Sequence, residues 1–193
     1  MNIRRIKGFI TKKINEELSE DLTYHTIDHT LEVIMVCDEY IKRLKIDKRD
    51  AMLLRTAALL HDIGFLWTYA DHEKLGTMFA RQILPQWGYQ DEDIDIICNL
   101  IMATKIPQQP RTLLEMIICD ADLDYLGTNK FYTIGDTLFQ ELINFKFISD
   151  QDEWDKLQVN VLRSHQYHTD YAKKHRGPIK KNHLSGIMKK HKL

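Results

Sequence analysis

Cysteine is scarce in this 193-residue chain. The three present, Cys37, Cys98 and Cys119, stand far apart among apolar neighbours. That excludes a disulfide framework and fits a reducing, cytoplasmic compartment. No apolar run approaches the ~20 residues that a membrane-spanning helix needs. Residues Met1–Lys7 are basic, but no apolar signal-peptide core follows them. Low-complexity tracts, internal repeats and Gly/Ser linkers are absent, as are a glycine-rich phosphate loop, a dinucleotide fingerprint and a nucleophile elbow. Apolar residues make up 44% and charged residues 28%, so general disorder is excluded as well. The expectation is a soluble, cytoplasmic globule.

Charge is also unevenly supplied. Net charge is -1, yet residues 171–193 hold eight Lys or Arg and no acid, leaving -9 on residues 1–170. An acidic body makes specific nucleic-acid binding a poor fit, while the basic tail could meet a phosphate or an anionic partner. Simple solvation of a helical end or loose terminus is the preferred reading of that tail.

Proline (four) and glycine (eight) are few, and between them apolar residues recur at helical spacing. Period-2 alternation is lacking, so the fold class is all-α. The pattern predicts helices over 3–18, 27–45, 49–62, 71–85, 91–103, 112–126, 130–147 and 151–175. Pro107 and Pro110 make 105–110 a loop. One helical domain over 1–170 is expected, followed by a basic tail or terminal helix over 171–193.

What is present sits in unusual places. Val33, Val36, Cys37 and Tyr40 form one apolar stripe that, extended back by turns, meets His29 and then His25. The segment 57–60, apolar all round, runs into His61 and Asp62. Asp122 shares a helical face with Ile118, Cys119, Tyr125 and Leu126, whereas Asp120 and Asp124 project from roughly the other side. A lone histidine on such a stripe is ordinarily a hydrogen-bonded core residue, and a lone aspartate near a helix end is ordinarily a cap. Four together, His29, His61, Asp62 and Asp122, on three inward stripes are better explained as ligands. A buried carboxylate needs pairing, protonation or a metal. Imidazole plus carboxylate suits a divalent first-row metal or a magnesium-like ion.

This ordered set resembles the H…HD…D signature of the HD superfamily of metal-dependent phosphohydrolases. Tyr24-His25-Thr26-Ile27-Asp28-His29 is similar to the Tyr-His-x-x-x-His segment of cyclic-nucleotide phosphodiesterases. Ala58-Leu59-Leu60-His61-Asp62-Ile63-Gly64 and Cys119-Asp120-Ala121-Asp122-Leu123 resemble the family's HD helix end and its final metal site. The likeness spans about residues 24–127. It implies an all-helical bundle with His29, His61, Asp62 and Asp122 as metal ligands, Asp62 able to bridge two ions. It also implies His25 as the general acid that protonates a leaving oxygen. The alternative for His25 is a helix-start residue stacked on Tyr24. Where some HD families place two further histidines, this chain offers His72 for the first, as a second-metal or substrate residue. For the second it has only 100–105, without histidine.

The resulting expectation is one tightly held divalent ion per chain, its identity (Mn, Mg, Fe, Ni, Co or Zn) open. The reaction would cleave a phosphate ester of a small molecule, nucleotides included, with metal-activated water. Lys105 and Arg111 flank the two-proline loop as weak substrate-phosphate candidates beside the alternative of solvated surface charge. Thr104 has proximity alone. A non-catalytic metal- or nucleotide-binding HD domain is the rival reading, and a helical interaction module docking through its tail is another. His165 and His168 lack a third ligand and read as a polar-aromatic helix face. Trp67, Trp87 and Trp154 read as core or boundary aromatics. Oligomeric state is open.

Overall fold

Isoleucines spaced by four set the first element. In α1 (Ile3–Glu17), Ile6, Ile10 and Ile14 are all buried. The computed structural model describes residues 3–191, and no strand occurs among them. α2 (Ile27–Leu44) buries His29, Val33, Val36, Cys37 and Tyr40, the stripe read from the sequence, and stops at Lys45 in the left-handed region. α3 (Lys48–Leu60) is capped by Asp47, whose carboxylate accepts from the Arg49 and Asp50 N–H groups at 2.8 and 3.1 Å. α4 (His72–Ile83), α5 (Asp91–Ala103) and α6 (Leu113–Asp122) follow. α3 is packed by α1, α2, α5 and α6, so Leu53, Leu54, Ala57, Ala58 and Leu60 are wholly buried. Each leucine so placed contributes roughly 1.5–3 kcal/mol of burial.

The rest comprises α7 (Phe131–Asn144), α8 (Gln151–Ser164), α9 (Asp170–His175) and α10 (Gly177–His191). Residues up to Ser19 and His25–Asp122 form one compact unit, and Glu20–Tyr24 with Leu123 onward form another. In the second unit Leu126, Phe131, Val159, Leu162 and Ile187 share a core. The basic tail is therefore helical, and its Ile187 is a core residue of that unit.

Two elements differ from expectation. The 151–175 helix is interrupted, because His165 turns extended (φ -64°, ψ 138°) and a new helix starts only after Thr169. Thr169 Oγ1 caps it by accepting from the Ala172 N–H at 3.2 Å. The 112–126 helix ends at Asp122, and residues 124–127 form a 3-10 turn. The helical wheel drawn through Asp124 thus fails. Asp120 is fully buried, and buried Asp124 accepts from Arg176 Nε at 2.7 Å. Neither projects into solvent.

Candidate metal centre

Three helix ends meet in the first unit. His29 stands in the first turn of α2, His61 and Asp62 follow the last turn of α3, and Asp122 ends α6. His29 Nε2 lies 3.3 Å from His61 Nε2, 3.2 Å from Asp122 Oδ1 and 3.4 Å from Asp62 Oδ2. His61 Nε2 lies 3.1 Å from Asp62 Oδ2 and 3.5 Å from Asp122 Oδ1. Ligand atoms about 2.1 Å from a common ion stand roughly 3.0–3.5 Å apart at octahedral or tetrahedral angles. The spacing therefore suits a shared cation. His29, His61 and Asp122 by themselves form a group able to hold one.

Two further observations test that fit. His61 Nδ1 lies 2.8 Å from the Ala58 carbonyl, which can only accept, so Nδ1 carries the proton and the neutral ring presents a lone pair at Nε2. His29 Nε2 faces it at 3.3 Å, so the two nitrogens can share a proton or, both as lone pairs, a metal cation. Asp62 Oδ2 is buried and accepts no hydrogen bond, despite its closeness to both rings. An orphaned buried carboxylate oxygen is costly unless an ion takes it. The residues fit a divalent metal.

The electrostatics point the same way. Burial by itself lowers an imidazole, but Asp122 and Asp62 outweigh it and raise His29. His61 is raised well above its usual value, as Asp62 and Asp122 overcome the same burial. Burial would lift Asp122, yet hydrogen bonds from His29 and His61 bring it to about 2. Asp62 is likewise held well below the usual carboxylate range, against burial, by His61, His29 and His72. The pocket demands positive charge, which protons or a metal can supply.

Around this group stand aromatic rings that the sequence reading missed. Phe65 stacks on His25 at 4.0 Å and on His72 at 3.9 Å. His25, half-buried, has its ring 6.1 Å from that of His29 and 5.9 Å from that of Tyr69. His72 donates from Nδ1 to the Tyr69 carbonyl at 3.2 Å, leaving Nε2 3.5 Å from Asp62 Oδ1 and 3.6 Å from Glu73 Oε1. Asp62 thus faces His29 and His61 through Oδ2 and His72 through Oδ1. Burial lowers His72, but Asp62 and Glu73 raise it overall. The only sequence signal for Phe65 was its place just after the His-Asp pair. Glu73 carried none beyond its adjacency to His72.

Bare backbone at Gly64 makes this arrangement possible. A Cβ there would lie 1.9 Å from the His72 carbonyl oxygen, so any side chain would displace the start of α4.

The remaining candidates divide. Lys105 has its ammonium paired with the carboxylate of Asp71, the residue before His72. Arg111 is exposed, and only its backbone N–H is engaged, donating to Glu115 Oε2 at 2.5 Å. Thr104 is buried with its hydroxyl donating to the Ile101 carbonyl at 2.8 Å, away from the ligands. His165 and His168 lie in the non-helical stretch between α8 and α9, so they form no helical pair. His183 donates to the Thr128 carbonyl at 2.8 Å and stacks on Phe131 at 4.5 Å, a packing role. Trp154 is buried, whereas Trp67 is 49% exposed.

The HD domain family matches residues 26–124, half of the chain, a span that includes the four converging residues. The chain belongs to the HD domain family. Its fold also resembles a solved structure described as a predicted HD superfamily hydrolase from an uncultured Thermotogales bacterium. The two share 24% identity over 76% of this chain and 92% of the other, with a TM-score of 0.56. That likeness shows the HD fold. No curated protein matches the sequence. Among the described residues no helix is long and apolar enough to cross a membrane.

Proposed function

We propose that this HD protein is a metal-dependent phosphohydrolase acting on a small phosphate ester, nucleotides included. The observation that carries the reading is the convergence of His29, His61, Asp62 and Asp122 at 3.1–3.5 Å with Asp62 Oδ2 left orphaned. A divalent cation held by these four residues would act as a Lewis acid, lowering the pKa of water toward neutrality and offsetting phosphoryl charge. His25 stands at the rim of the ligand group, its ring fixed on Phe65. A positioned imidazole there can protonate a leaving oxygen, an effect worth roughly a hundred- to ten-thousandfold. His72 and Glu73 extend the donor set on the far oxygen of Asp62, where a weaker second ion or the substrate would sit.

The test is a panel of phosphomonoesters, phosphodiesters and nucleotides assayed with Mn, Mg, Ni, Co, Fe and Zn, alongside elemental analysis. The expected result is close to one tight ion per chain and turnover of at least one substrate that disappears on chelation. A chain that binds its ion but turns over nothing in the panel is a metal-binding regulatory domain instead. A chain that takes no ion has no centre at this place.

A further inference from the structure

Lys105 lies at the start of the two-proline loop, yet its ammonium pairs with Asp71, the residue immediately before His72. Asp71 occupies the N-terminal flank of α4 in the left-handed region, φ 55° and ψ 31°. A residue at this place ordinarily lies in the β region, with its carboxylate accepting from the helix N–H groups. Asp71 makes no such bond, and its carboxylate holds Lys105 instead. Glu73, on the other side of His72, adds to the negative field at the same ammonium.

We infer that Lys105 is the cation that receives the substrate's phosphate at this centre, and that Asp71 holds its charge in the absence of substrate. The inference rests on the phosphohydrolase reading and deepens it. Both partners are exposed, 44% for Lys105 and 65% for Asp71, so the pair is solvated and contributes little to stability. A pair of that kind exchanges easily. The ammonium is a flexible point charge on a four-carbon stem, able to leave one oxyanion for another. The next residue, His72, has its Nε2 3.5 Å from Asp62 Oδ1, so the backbone that carries the pair also carries a residue of the centre. An anion that binds beside His72 would compete with Asp71 for the Lys105 ammonium.

Two single substitutions give opposite signs under this arrangement. Lys105→Met removes the receiving charge, while Asp71→Asn removes the competitor and frees the ammonium. The probe is inorganic phosphate, titrated by calorimetry into the metal-loaded protein, with KM and kcat measured on whichever phosphomonoester the panel identifies. Phosphate affinity is expected to fall about tenfold in Lys105→Met and to rise two- to threefold in Asp71→Asn, with KM following in reverse. Metal content should stay at the wild-type level in both. An ion pair that merely pins the loop to α4 would make the two variants shift in the same direction. That result, or no shift in either, overturns the inference. If phosphate binding depends on Lys105 as stated but nothing in the panel is hydrolysed, the phosphohydrolase reading fails and the anion site stands. If hydrolysis proceeds with KM indifferent to both substitutions, the anion site fails alone.

Discussion

Asp62 is the side chain that most needs a cation, since its Oδ2 is buried without a hydrogen bond while Oδ1 turns toward His72. Asp122 needs one almost as much, and the three aspartates of its segment can be told apart by substitution. Asp122→Asn removes a ligand charge and should lower metal affinity by more than about a hundredfold, since even outer-shell changes cost 10–100-fold. Helicity should survive, because an amide is cheaper to bury than a carboxylate deprived of its ion. Asp120→Asn and Asp124→Asn should keep the metal. Each should instead cost stability, about 1–3 kcal/mol, because both carboxylates are buried and Asp124→Asn leaves Arg176 without its charged partner. Metal per chain and melting temperature, measured on all three, give the answer. Loss of metal in Asp120→Asn with retention in Asp122→Asn would move the ligand to Asp120. The sequence singled out Asp122 by a helical wheel, and α6 is regular up to that residue, whose carboxylate lies 3.2 Å from His29 Nε2. It misplaced Asp124, which lies past the helix end, and it left Asp120 on a face that turned out to be covered.

At the level of elements, periodicity located helices well wherever the apolar residues keep regular helical spacing from end to end. The bounds of α1, α2 and α5 agree with their spacing patterns to within a residue. It failed where a backbone change leaves no apolar mark. The break at His165 separates two stretches that both read as helix, and only the Thr169 cap distinguishes them. Phe65 was invisible as a site residue because an apolar ring after a buried helix end reads as core. The tail was misjudged for a different reason: eight cations mask the few apolar residues on α10 that matter. Leu184, Ile187 and Met188 face the core built on Leu126 and Phe131, and Ala172 on α9 is wholly buried. Truncation after Asp170, which the charge pattern alone suggests is harmless, should therefore unfold the second unit. A milder test is Ile187→Ala, expected to cost about 2–5 kcal/mol from lost burial and the cavity left behind. A matching Lys181→Ala, at an exposed position, should change stability by less than about 0.5 kcal/mol. Chemical denaturation of both variants decides it; equal stability would return the tail to the status of a solvated end.

For the whole molecule, the metal should govern how stability responds to pH. Without an ion, His29, His61 and His72 titrate above their usual 6.5, against the burial that would lower them. A raised imidazole contributes stability in full below its unfolded value and loses it as pH climbs through the folded one. Asp62 and Asp122 titrate below 3.8, so their contribution is present above that value and is lost as pH falls through their lowered values, about 2 for Asp122. The metal-free protein is therefore most stable between about pH 4 and 6.5, and weakens on the alkaline side as the imidazoles give up their protons. A metal reverses the alkaline half of that profile. It requires neutral imidazoles and ionised carboxylates, so its affinity grows as protons leave, and the folded state gains RT ln(1 + [M]/Kd). At a hundredfold excess over Kd that gain is about 2.7 kcal/mol. Calorimetric scans at about pH 5.5, 7 and 8.5, with chelator or with saturating manganese, should show melting temperatures that diverge as pH rises, the metal-free curve falling while the loaded one holds. A gap that stays constant across this range would mean that protons and metal do not compete for the same nitrogens. The ion would then sit elsewhere than between His29 and His61.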